Sequence, residues 1–173
     1  MVMKIDLRSE FTARPTAAMV EAMVRAAQLP SGFGLREDPT VARLEALAAE
    51  KLGKGDALFV PTCMMANQIA IHIRCRPGDV FLTEAEAHVV TSESGAASAL
   101  SGAMPRPGAR AQGVPVHLDG ARIFNAATAL GRPASDLAEL AETVSFNLNK
   151  GLCAPPLRSW AFLCCLLGRT SVL

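Results

Sequence analysis

The chain has 173 residues, half of them apolar, and 17 basic against 16 acidic side chains leave a formal net charge of +1. That length suits one domain with a sizeable core and is short for two. The balanced charge, the scattered arginines Arg74, Arg76, Arg106 and Arg110, and the lack of a run near the roughly 20 apolar residues of a membrane helix argue against nucleic-acid and membrane partners.

The first residues, Met1 to Arg8, carry Asp6 and Arg8 and no apolar stretch of a secretory signal. Five cysteines without ladder or CxxC spacing suggest reduced thiols, so a cytoplasmic location is expected. Cysteine and histidine spacing offers no metal-ligand pattern, and no metal is expected.

Pro15 and Thr16 open a helical pattern in which Met19, Met23 and Ala27 recur every four residues. Leu29 to Gly34 breaks it as a loop. A second helix is marked by Asp38 as N-cap, Pro39 in the first helical position and Gly53 as its stop. Ala57 to Val60 is a short apolar run that predicts a buried strand, and Thr62 to Ile73 reads as a helix. Pro77-Gly78 is a turn before a strand at Val80 to Thr83, and Ser94 to Leu100 is a small-residue helix. Met104 to Gly113 is rich in Pro and Gly and predicts no regular structure. A strand at Val114 to Leu118 follows, then a helix at Arg122 to Leu130, a turn at Gly131 to Pro133, and a helical turn or two at Leu137 to Ala141. Thr143 to Leu148 is the last predicted strand, and no period can be assigned after Pro156. The alternation predicts an α/β fold with a mostly parallel sheet flanked by helices.

Two residues carry chemistry in this frame. Asp119 and Lys150 each follow an apolar run, and Lys150 comes 31 residues after Asp119. One strand–helix–strand unit takes about 30 residues. Both residues are therefore expected at the carboxyl edge of neighbouring parallel strands, where open α/β sheets bind ligands. A lysine able to form a Schiff base and an acid able to hold a pyridine nitrogen are the minimal kit for pyridoxal phosphate. A lone lysine at a strand end is ordinarily a surface residue; Gly151 beside it and Asp119 before it favour the chemical reading.

Several segments together resemble the low-specificity L-threonine aldolases. They are Asp6-Leu7-Arg8-Ser9 with Arg14-Pro15-Thr16, Glu37 to Glu45, Ala57 to Pro61 with Met65-Ala66-Asn67-Gln68, Glu86-Ala87-His88, His117 to Ala126, and Ser145 to Pro155. The resemblance implies the large pyridoxal-phosphate domain of that family over residues 1–155, without its small C-terminal domain. Residues 156–173 form a divergent apolar tail. It also implies cleavage of L-threonine or L-allo-threonine to glycine and acetaldehyde, and homo-oligomeric relatives.

By the same resemblance, Lys150 matches the lysine that bonds the cofactor, and Asp119 matches the acid on its ring nitrogen. His88 matches the histidine over the ring, and Arg122 and Ser9 match groups near the substrate carboxylate. Thr62, Cys63 and Met64 occupy the phosphate-holding turn, where the family prefers serine, glycine and threonine. His72 and His117 sit in apolar patterns and are expected to be structural.

The match also fails in places. Between Gly108 and Val114 the family carries a long stretch, absent here, that supplies sheet strands and a second substrate-facing histidine. A tyrosine and tighter spacing are usual near Phe33 to Glu37. These departures leave a second expectation open: a truncated, catalytically inactive form that either binds full-length subunits or does nothing.

Overall fold

The computed structural model describes residues 10, 13–34, 36–108, 113–154 and 164–168, the last segment by its backbone. Ser9 lies outside the described residues.

The first two helices form where the sequence marks them. In α1 (Ala17–Ala27) the Thr16 hydroxyl accepts from the Met19 N–H, closing a capping box. In α2 (Pro39–Leu52) one Asp38 oxygen accepts from the Thr40 and Val41 N–H groups, and Gly53 takes the left-handed conformation that ends the helix. The apolar face of α2 buries Ala48 and Leu52, whereas α1 leaves Met23 and Val24 about half exposed.

After α2 come β1 (Asp56–Val60), α3 (Cys63–His72), β2 (Val80–Thr83), the single turn α4 (His88–Thr91), α5 (Ala96–Ser101) and β3 (Met104–Pro107). Then follow β4 (His117–Asp119), α6 (Ile123–Leu130), α7 (Ala134–Ala138), β5 (Thr143–Asn147) and β6 (Cys164–Gly168). The strands form two sheets, one in the order β1-β6-β5-β4 and the other β2-β3. The β4–β5 and β2–β3 pairs are parallel, while β6 runs antiparallel between β1 and β5. The main core packs Leu52, Ala57, Ile123, Val144 and Phe146 between helices and sheet, with Phe124 edge-on to Phe146 at 5.2 Å.

Three expectations need correction. Met104–Pro107 is a strand, not irregular chain. Its prolines lie on the outer strand of a two-stranded sheet, where a missing N–H costs little. Cys164–Gly168, to which no period could be assigned, is a strand paired on both sides, by β1 and by β5. Its apolar run, Cys164-Cys165-Leu166-Leu167, does not alternate, so no strand period marks it in the sequence. The helix expected at Leu137–Ala141 begins three residues earlier, because Pro133 supplies an N-terminal boundary.

Candidate active site

The carboxyl ends of the parallel strands converge on one edge. Asp119 is the last residue of β4 and pairs in register with Ser145 of β5; Lys150 stands three residues past the end of β5. The expectation that one strand–helix–strand unit brings them to neighbouring strand ends is met. Lys150 is half-buried in a turn closed by its own carbonyl, which accepts from the Cys153 N–H at 2.9 Å. Gly151 lies close to the exposed side chain of Asn125, which would have to turn aside for a larger residue. A Cβ would sit 1.9 Å from Oδ1 of Asn125 on α6. Gly120, just after Asp119, is tightly surrounded, since a Cβ would press on the Ser145 main-chain carbonyl at 3.0 Å.

Asp119 is exposed, but its Oδ2 accepts from Asn67 Nδ2 at 3.0 Å. Asn67 is the hub of the site and was not singled out from the sequence. Its Nδ2 also donates to Glu93 Oε1 at 2.9 Å, and its Oδ1 accepts from Ser145 Oγ at 3.1 Å and contacts His117 Nε2 at 3.1 Å. One signal was available: Asn67 and Gln68 are adjacent polar residues inside the apolar helix α3, and buried amides need partners.

Glu93 is the second residue that the sequence hid. It is 3% exposed. Oε1 receives Asn67 and Oε2 receives Gln68 Nε2 at 2.7 Å, while His88 Nδ1 lies 2.9 Å from Oε1. Both oxygens already accept amide N–H groups, so the histidine contact is a donation from His88 Nδ1. In the neutral ring that leaves Nε2 as an acceptor. His88, on the exposed turn α4, lines the same cavity as Asp119. His88, Glu93 and Asp119 present atoms within 4.8 Å of one another, a cluster these hydrogen bonds explain without a metal.

His117 points the other way along the network. With Nε2–H given to Asn67, its Nδ1 accepts from the Thr143 hydroxyl at 2.9 Å. Burial pushes its pKa down to about 4, against a smaller opposing pull from the Asp119 carboxylate. It is a neutral structural ring, and His72, bonded to Ser101 Oγ at 3.2 Å, sits likewise in a side-chain contact of the fold.

The phosphate turn differs from its expectation in detail. Thr62 caps α3, and its hydroxyl is used by the Met65 N–H at 3.0 Å. Cys63 is buried, with its thiol donating to Asn147 Oδ1 at 2.7 Å rather than standing in the turn's opening. Met64 has no side-chain donor. Anion binding there falls to the backbone N–H groups of a ten-residue helix start. Arg122 caps the start of α6 and is ion-paired with Glu10, so its guanidinium already holds a carboxylate. His88 and Asp119 thus put an imidazole and an acid on one cavity, with Lys150 past the end of the neighbouring strand. The phosphate end has main-chain donors and few side-chain ones.

Comparison with known proteins agrees with the motifs. The beta-eliminating lyase family matches residues 6–109 and 107–156. Low-specificity L-threonine aldolase 1 of Arabidopsis thaliana is 32% identical over 215 residues, covering 90% of this chain and 59% of that protein. Alanine racemase TOXG of Cochliobolus carbonum is 38% identical over 106 residues, covering 60% of this chain and 26% of its own length. Among solved structures, Leishmania major threonine aldolase superposes with a TM-score of 0.74 at 16% identity, covering 95% of this chain and 63% of that one. The chain spans about three fifths of the threonine aldolases it matches. The fold is that of pyridoxal-phosphate enzymes, as the alternation and motifs led us to expect.

Proposed function

The chain belongs to the beta-eliminating lyase family, and from that premise we propose that its site binds pyridoxal phosphate and cleaves the Cα–Cβ bond of a small 3-hydroxy amino acid, L-threonine or L-allo-threonine. The observation that carries this reading is the pairing of Asp119 and Lys150 at adjacent parallel strand ends, with His88 tied to Asp119 through Glu93 and Asn67.

The cofactor, when bound, supplies an electron sink for the pair left at Cα. The rest falls to this chain. Lys150 offers the amine that holds the cofactor. Asp119 keeps a proton on the pyridine nitrogen, since an opposite charge favours the charged form. His88 takes the hydroxyl proton of the substrate at Nε2, because Glu93 fixes the proton at Nδ1; this is the logic of a base oriented by a third group. Arg122 offers a planar fork for the substrate carboxylate, which must displace Glu10. Thr62, Cys63 and Met64 contribute main-chain N–H groups to the phosphate. The weak side-chain complement there predicts loose cofactor binding.

The test starts from purified chain and added pyridoxal phosphate. A visible absorbance band that borohydride fixes onto Lys150 is expected, followed by glycine release from L-threonine. A band that persists in Lys150→Ala removes the assignment.

One observation favours a second reading, a non-catalytic form. Among the described residues the sheet is divided beside the site. A band without glycine release supports that reading, as does a folded chain with no band.

A further inference from the structure

The two sheets stop short of each other across a cavity of about 790 Å³. All four residues of β2 line one wall; Val116, His117 and Asp119 line the other. Ala70 and Ile71 of α3 lie between them. Among the described residues, β2 pairs only with β3 and β4 only with β5, so each strand turns an open edge toward the gap. Open edges beside an apolar helix are costly, because their N–H and C=O groups have no ladder partner.

The alignment breaks at the same place. The family matches in two pieces that meet at residues 107–109, where β3 ends. The Arabidopsis relative needs 215 aligned positions for 90% of this 173-residue chain, so roughly 60 positions of that relative face no residue here. The TOXG match spans 106 positions for 60% of the chain, about 104 residues, and shows almost no such surplus. The break in the family match points to the relative's surplus lying between β3 and β4, the strands on either side of the cavity.

We propose that the cavity is a slot for one extended strand supplied by another polypeptide, a longer family member that carries this stretch. A strand lying between two open edges bonds to both at about 4.8 Å spacing, and four residues extend about 13 Å. It would join β3-β2 to β4-β5-β6-β1 as a single sheet. Its inward side chains meet Ala70 and Ile71 and should be apolar. A second copy of this chain is the weaker occupant, since it lacks the stretch. Adding a strand to an exposed edge is an established mode of peptide recognition.

The probe is a set of overlapping peptides of about ten residues tiling the stretch of the Arabidopsis relative that faces Gly108 to Val114. Each is added to the full chain, and amide hydrogen exchange is followed. One apolar peptide is expected to slow exchange at both Val80–Thr83 and His117–Asp119 by at least about tenfold, with β1 unchanged. The same peptide N-methylated at its central residue keeps its side chains, loses a ladder donor, and should lose that protection. Protection by no peptide, at one edge alone, or undiminished by N-methylation overturns the proposal. Protection that appears without peptide and grows with chain concentration assigns the slot to a second copy and overturns it equally.

Discussion

Lowering the pH should destabilise this fold through His117, and the size of the effect follows from its surroundings. Its ring is held neutral between the Thr143 hydroxyl and Asn67 Oδ1, with a pKa lowered to about 4 from an ordinary 6.5. Above pH 6.5 the ring is neutral in both folded and unfolded chains, and its contribution is complete. Between about 6.5 and 4 the unfolded chain binds a proton that the folded chain refuses, so stability falls with pH. At about 1.4 kcal/mol per pKa unit, the loss is about 3 kcal/mol at most. The partial exposure of the ring to the adjoining cavity reduces it. The assay is urea unfolding at about pH 7.5, 5 and 4 on the native chain and on His117→Gln. All other residues are common to the two proteins, so the difference in slope isolates His117. Equal losses in the two proteins would refute the argument.

Asn67→Leu removes the hub that serves Glu93, Asp119, Ser145 and His117. Buried groups left without partners should cost about 3 kcal/mol in unfolding free energy. Gly120→Ala presses a Cβ against the Ser145 carbonyl and the Ile123 and Val144 side chains, and a fall of about 1–3 kcal/mol is expected in the same assay. Lys54 Nζ donates to the carbonyls of Ala138 at 2.8 Å and Ala141 at 2.5 Å, fastening the entry to β1 to the end of α7. Lys54→Met should cost about 1.5–3 kcal/mol, read as a lower melting temperature. Arg36→Ala breaks the 2.7 Å pair with Asp56 at a partly exposed site, and should lower the melting temperature only slightly, by less as salt is added.

Local rules carried much of the fold. The capping residues Thr16, Asp38 and Gly53 stood at helix ends because their backbone bonding is a property of a few adjacent residues. The runs at Ala57–Val60 and Val80–Thr83 became strands as their short apolar composition between turn signals indicates, though their bonding partners are distant. Met104–Pro107 did not announce itself. Prolines forbid a central strand but not an outer one, and position in a sheet is not written locally.

The amine and the acid of the site were legible from their spacing, since one strand–helix–strand unit fixes how far apart in sequence neighbouring strand ends lie. Their supports were not. Asn67 and Glu93 come from α3 and from the turn before α5, and nothing in either segment names the other. Likewise, no local pattern foretold that β6 would lie between β1 and β5, or that β2 and β4 would face each other across a gap. The sequence alone determined most segments that coil or extend, the strands Met104–Pro107 and Cys164–Gly168 excepted, and which two residues reach one sheet edge. Only the tertiary structure decided how Asp119 and His88 are joined and where the sheet is left open, because those depend on contacts between parts of the chain that share no period.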